Sequence, residues 1–228
     1  MRRLVPMLAA LTLALSALSL ALGPARLPLS AIATALAGGG DEIARIIVFE
    51  IRLPRTILAI LIGAILGMSG AALQALTRNP LAEPSLFGAP QSAAFAAVAM
   101  VSFAGVDVLS FTAPMAAIAG AFVSVALVVG LAGRQASALL VILAGIAIAS
   151  LAGALTALAV NLAPNFYAAL EITFWLMGSL DDRSMRHVAL AGPFIAGAGV
   201  VLLALATRLR PLALGEEVAE SLGVAVSR

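Results

Sequence analysis

The side chains that perform catalysis or bind metal ions are scarce in this sequence. Its 228 residues include no cysteine and no lysine, and His187 is the only histidine. Without cysteine there is no thiolate zinc site or iron–sulfur cluster, and a single histidine cannot form a histidine-rich metal site. Without lysine there is no Walker A loop of the kind that binds and splits ATP. We therefore expect no catalytic residue, no metal site and no cofactor.

One serine lies in a pattern that occurs in a class of enzymes. Gly67-Met68-Ser69-Gly70 matches the G-x-S-G pattern of rhomboid intramembrane proteases, in which a histidine base must reach the serine. Ser69 is about 20 Å deep in its predicted helix at 1.5 Å per residue, whereas His187 is at the outer edge of another predicted helix. The depths disfavour a protease. The small residues Gly63, Gly67 and Gly70 instead predict close helix packing.

The composition places the chain in a lipid bilayer. Hydrophobic residues make up 63% of it and charged residues only 11%, compared with roughly 25% charged in soluble domains. The net charge of +2 is not gathered into a basic stripe, so nucleic acid is not an expected partner.

Membrane spans follow from runs of about 20 apolar residues. Six runs are predicted to be helices, at residues 4–23, 56–77, 84–106, 108–133, 139–162 and 188–207. They predict an all-α, polytopic membrane bundle, and a short surface helix is expected within residues 165–179. Arg2 and Arg3 favour a cytoplasmic N-terminus, and six spans return the chain to the cytoplasm. The first run is longer than the apolar core of a usual signal peptide, which disfavours cleavage.

Two arginines stand at the predicted outer entry of the second span. In Arg52-Leu53-Pro54-Arg55, we expect Pro54 to occupy the first helical position. Cations at that end oppose the helix dipole, so Arg52 and Arg55 suggest an anionic partner. The alternative is that they reach lipid phosphates or pair with Glu50.

The last stretch of the sequence differs from the spans. Leu214, Val218 and Leu222 recur at every fourth residue beside several glutamates, and Gly223 is a candidate C-cap. This pattern predicts a short amphipathic helix on the cytoplasmic side. Its acidic face is not attracted to anionic lipid, which favours a protein partner over a solvated linker helix.

Several segments, taken together, resemble the permease subunit of the FecCD family, the vitamin B12 and iron-siderophore class of ABC importers. They are Arg52-Leu53-Pro54-Arg55, the stretch from Leu73 to Pro84, Leu143-Ala144-Gly145-Ile146-Ala147, Trp175-Leu176-Met177-Gly178-Ser179 and the stretch from Leu214 to Gly223. The resemblance implies a homodimer with a second permease subunit, two ATP-binding subunits and an extracytoplasmic substrate-binding protein. It also implies a ten-helix fold, of which this sequence would supply the first six helices and not the final four.

The resemblance also implies roles for individual residues. Arg52 and Arg55 would dock the binding protein through its glutamates, and Asn79 and Leu81 would belong to a cytoplasmic gate. The segment that couples to the ATPase would comprise Gly215, Glu216, Glu217, Ala219, Leu222 and Gly223. The implied organisation is a permease region, 1–213, with an external loop, 24–55, followed by a cytoplasmic coupling segment, 214–228.

The expected function is that of a permease that carries iron-siderophore type chelates across the bacterial inner (plasma) membrane while its partners hydrolyse ATP. A cobalamin or haem importer is the alternative within the family. An ion-coupled secondary transporter is disfavoured because the predicted spans contain no carboxylate for such coupling.

Overall fold

The computed structural model describes residues 3–105, 111–133, 137–163, 165–181 and 183–221. The helices in chain order are α1 (Leu4–Ala21), α2 (Leu29–Leu36), α3 (Glu42–Ile46), α4 (Leu53–Thr77), α5 (Ala89–Ala104), α6 (Thr112–Ala132), α7 (Ala138–Asn161), α8 (Phe166–Met177), α9 (Met185–Leu212) and α10 (Glu216–Ser221). A π-helical turn, Ile47–Arg52, joins α3 to α4, and a 3-10 turn, Pro84–Phe87, precedes α5. The predicted all-α class is confirmed.

Five helical stretches of the described chain are long and apolar enough to cross a membrane. They are Leu4–Ala21, Glu42–Thr77, Thr112–Ala132, Leu139–Asn161 and Met185–Leu212. The predicted third span is realised as the 3-10 turn followed by α5, which has only 16 residues. Gly88, whose φ is +70°, separates the two and interrupts a regular helix. The count of six spans is therefore approximate, while α8 confirms the expected short helix.

The expectation that Pro54 begins the second span is wrong. The helical stretch runs without a break from Glu42 to Thr77 over 36 residues, and Pro54 lies inside it. A proline inside a helix lacks an N–H and crowds the carbonyl one turn earlier. Here the π-helical turn directly precedes it, and such a turn already interrupts the regular hydrogen-bond ladder. The proline is therefore accommodated, and the positive end of the helix dipole is at Glu42 and not at the two arginines.

The chain divides into two compact units. The first comprises Met1–Ile65 and Leu180–Val200, and the second Leu66–Ser179 and Val201–Arg228. A small core of Ile32, Ala35 and Val48 lies in the first unit. Neither α1 nor α9 buries any residue completely, and many of their apolar side chains are exposed, as suits contact with lipid.

The second unit is centred on α5, which packs against α6 and α7. Val98, Ala159 and Ile172 are buried there. Gly120 faces the backbone of Ser92, and Gly145 faces the backbone of Leu86, so closely that an added Cβ would lie within 3.0 Å of a neighbouring atom. Gly120 thus allows α6 to approach α5 at backbone distance, and Gly145 allows α7 to approach the 3-10 turn before α5 in the same way.

Candidate functional site

Arg52 is buried, with only 5% of its surface exposed. Its Nη1 donates to the carbonyl oxygens of Leu20 at 2.7 Å and Ala21 at 2.9 Å, and its Nη2 donates to the carbonyl of Ala25. The last carbonyls of a helix have no partner within the helix, and its C-terminal end carries partial negative charge. Arg52 supplies both donors and positive charge to that end of α1.

Two smaller contacts complete this attachment. The hydroxyls of Ser19 on α1 and Thr56 on α4 are 2.9 Å apart, and Thr56 also donates to the carbonyl of Arg52. Gly23 lies against the guanidinium, since a Cβ at this position would be 3.0 Å from Nε of Arg52. We call Ser19, Gly23, Arg52 and Thr56 the arginine clamp. It fastens the end of α1 to the start of α4.

Arg55, one turn further along α4, is in a different environment. Its Nη1 is 2.7 Å from Oδ1 of Asp181 in the segment between α8 and α9, and the two side chains are 53% and 67% exposed. The two arginines that the sequence grouped as a docking pair therefore differ: Arg52 points inwards to backbone carbonyls, and Arg55 remains accessible.

A cavity of about 430 Å³ opens between these arginines and the end of α1. Its lining residues are Ser19, Leu22, Gly23, Pro24, Ala25, Ile47, Ile51, Arg52 and Arg55. The lining is mostly apolar and includes both arginines: Arg52 is buried, and we call it the floor, whereas Arg55 is exposed, and we call it the rim. A carboxylate that entered would meet positive charge in partly desolvated surroundings, where ion pairing is stronger than in bulk water.

The turn after α4 presents one apolar side chain. The backbone N–H of Leu81 donates to Oδ1 of Asn79 at 2.9 Å, and Gln74 donates from Nε2 to the carbonyl of Pro80 at 2.9 Å. Leu81 is 82% exposed, while Ala82 beside it is buried. The side chain of Asn79 therefore shapes the turn from which Leu81 projects.

The predicted amphipathic helix is present as α10, and its start lies beside this turn. Gly215 has φ +115°, and a Cβ there would be 4.0 Å from Nη1 of Arg78. Ala219 is fully buried, whereas Leu214 and Val218 are 68% and 41% exposed. The exposed apolar side chains are thus available to a partner. The side chains of Glu216 and Glu217, and all of Leu222 and Gly223, lie outside the described part of the structure.

Ser69 and His187 make local contacts. The hydroxyl of Ser69 donates to the carbonyl of Leu66 at 3.1 Å. The backbone N–H of Ser184 donates to Nδ1 of His187 at 3.1 Å, at the start of α9. His187, the third residue of α9, therefore accepts from the N–H of the residue before the helix, as the acidic residue of a capping box does.

Sequence reasoning missed Asp181, Ser19, Thr56 and Arg78. The partners of the first three are far away in the chain, so no local pattern indicates them.

The sequence profile of the FecCD transport family matches residues 11–228, which include the arginine clamp, the turn after α4 and α10. The chain belongs to the FecCD transport family. With its apolar helices, this membership makes it a multi-pass membrane protein. The family consists of transport permeases, which are not themselves enzymes.

Individual relatives in the FecCD family agree with this assignment. The chain is 39% identical to the ferric enterobactin transport system permease protein FepD of Escherichia coli, over 98% of this chain and 67% of FepD. It is 40% identical to the cobalamin import system permease protein BtuC of Halobacterium salinarum, over 87% of this chain and 53% of BtuC. It also resembles a solved structure of a metal-chelate type ABC transporter in an inward-facing conformation. The TM-score is 0.84 at 28% identity, over 99% of this chain and 69% of that one. The chain thus spans between about half and two thirds of the length of these proteins.

Proposed function

We propose that this chain is the membrane permease of a binding-protein-dependent ABC importer in the bacterial inner (plasma) membrane. The observation that carries the proposal is the family match across residues 11–228. The partners would be a second permease subunit, two ATP-binding subunits and an extracytoplasmic substrate-binding protein. The chain itself would move substrate, and the ATP-binding subunits would hydrolyse ATP.

The proposed cargo is an iron-siderophore type chelate, and cobalamin or haem is the second candidate. FepD by its name transports ferric enterobactin, and BtuC by its name imports cobalamin, and the two are almost equally similar to this chain. Uptake of labelled ferric enterobactin, cyanocobalamin and haem into proteoliposomes that hold the assembled transporter would separate them. Uptake of one chelate should require ATP. Uptake that followed a proton gradient without any ATP-binding subunit would favour an ion-coupled transporter.

For docking of the binding protein, we propose separate roles for the two arginines. Arg55 would meet a carboxylate of the binding protein directly, because its side chain is exposed at the rim of the cavity. Arg52 would act indirectly, because its hydrogen bonds fix the end of α1 that lines the cavity. Arg55→Glu should weaken docking at least tenfold without loss of membrane insertion. Arg45→Glu, on an exposed residue of α3, is the matched charge reversal and should leave docking unchanged.

For coupling to the ATP-binding subunits, we propose the segment that begins at Gly215 and includes α10. The exposed side chains of Leu214 and Val218 support this, since apolar anchors of this kind fit a groove in a partner. Replacing Glu217 and Val218 together should leave ATP hydrolysis in the assembly while transport falls. Ser221→Ala, at an exposed hydroxyl of the same helix, is the control. If transport stayed coupled to ATP hydrolysis, the proposed coupling role of this segment would be contradicted.

For the cytoplasmic gate, we propose that Leu81 blocks the path and that Asn79 positions it. The exposure of Leu81 and the hydrogen bond from its N–H to Asn79 support this. Leu81→Ala should raise leakage of chelate in the absence of ATP. Asn79→Ala should do so to a smaller extent, because the turn loses only its side-chain acceptor.

A further inference from the structure

The ion pair between Arg55 and Asp181 occupies the docking residue with a carboxylate of the same chain. The 2.7 Å separation of Nη1 and Oδ1 is that of a charge-assisted hydrogen bond. A carboxylate from a docking protein would need the same guanidinium. The structure therefore contains an internal competitor for the proposed docking contact.

The surroundings of this ion pair allow another carboxylate to replace Asp181 as the partner of Arg55. Both side chains are more than half exposed, and exposed ion pairs contribute little because water and salt screen them. Arg52 differs, since it is buried among carbonyls that no incoming group replaces. Of the two arginines, Arg55 is thus the one whose partner can be exchanged at small cost.

We propose that Asp181 is an internal counter-ion that holds Arg55 in the undocked permease and is displaced by a carboxylate of the binding protein, so that it tunes docking affinity. This inference rests on the proposed docking role of Arg55. Asp181 would keep the guanidinium ordered and neutralised before docking. The same residue would weaken the docked state, because its own contact is lost there.

The test measures binding of the substrate-binding protein of the same transporter to the full chain, assembled with its partners in lipid nanodiscs. Asp181→Asn keeps the size of the side chain and removes its charge. Affinity should rise about two- to fivefold, the range expected when a weak surface ion pair no longer competes. Affinity should also fall more steeply with added salt, because the site gains net positive charge.

Two controls separate this proposal from the one on which it rests. Asp41→Asn makes the same charge change at an exposed position before α3 and should leave affinity unchanged. In an Arg55→Gln background, Asp181→Asn should have no effect, since there is no longer a guanidinium to compete for. Asp181→Ser serves as a second variant if the amide disturbs the segment before α9.

The remaining outcomes have distinct meanings. Unchanged or weaker binding by both Asp181 variants, with Arg55→Glu still impairing docking, would overturn the competitor role and leave the docking proposal intact. Docking that is insensitive to Arg55→Glu, or no docking by the unaltered chain, would overturn both. An equal gain from Asp41→Asn would assign the effect to overall charge and also overturn the competitor role.

Discussion

Two helix contacts in the described part of the chain are held by different forces. Around α5, the glycines at positions 120 and 145 allow backbones to touch, and buried aliphatic side chains fill the remaining space. At the end of α1, by contrast, no residue of the helix is buried, and the attachment consists of hydrogen bonds from Arg52 to backbone carbonyls and one between the hydroxyls of Ser19 and Thr56.

This difference shows how helices can associate in fixed positions in a chain that exposes most of its apolar surface. In lipid, apolar exposure carries little cost, so association depends on close packing and on polar contacts. The α5–α7 contacts use the first means and should tolerate almost no added volume. The arginine clamp uses the second and should depend on the chemistry of one side chain.

The largest loss of stability is expected for Gly145→Val. Its side chain would overlap the backbone of Leu86 and Phe87, which cannot move aside as a flexible side chain would. Overpacking usually costs about 1–3 kcal/mol, and a clash with backbone belongs at the upper end, so we expect about 3 kcal/mol or more. Thermal unfolding of the purified chain in detergent, followed by circular dichroism, measures this loss. Unfolding at the unaltered temperature would show that α7 and the 3-10 turn before α5 can move apart without loss of stability.

A smaller effect is expected for Arg52→Gln. The carbonyls at the end of α1 lose charged donors, and hydrogen bonds to charged groups contribute about 1.5–3 kcal/mol, so we expect about 2 kcal/mol. The loss should be local. Hydrogen exchange of the amides of residues 18–25 should accelerate, while that of α5 stays slow. Arg45→Gln is the control. Equal acceleration of exchange in both variants would show that Arg52 does not hold the end of α1.

A still smaller effect is expected for Gly23→Ala. The added Cβ lies 3.0 Å from Nε of Arg52, and the guanidinium must shift by a few tenths of an ångström to make room. We expect a cost of about 1 kcal/mol, in the ordinary range for single substitutions. Combined with Arg52→Gln, the same substitution should cost less than it does alone, because neighbours that share one contact are not additive. Full additivity would show that Gly23 and the guanidinium are independent.

Much of this fold was predictable because membrane helices are read from local composition. Apolar runs predicted the helices, and the spacing of Leu214 and Val218 predicted α10. The continuous helix through Pro54 was not predictable, because the π-helical turn before it leaves no signal in propensity. The contacts of Arg52 were not predictable for a related reason: the sequence places it near the start of one helix, and only the fold brings it to the end of another. Its docking role stays a prediction.

The smallest change in stability is expected for alanine substitutions at the glycines of α4, and it should be a gain and not a loss. Among the described residues, a Cβ at Gly63, Gly67 or Gly70 meets nothing within 4 Å. The close packing that their spacing predicts therefore stays a prediction. Glycine inside a helix is about 0.5–1 kcal/mol less favourable than alanine. Gly67→Ala should therefore leave the unfolding temperature of the isolated chain unchanged or slightly raised, whereas Gly145→Ala lowers it. A marked loss at Gly67 would mean that the α4 surface is already packed as tightly as α5, and the contrast between the two kinds of helix contact would fail.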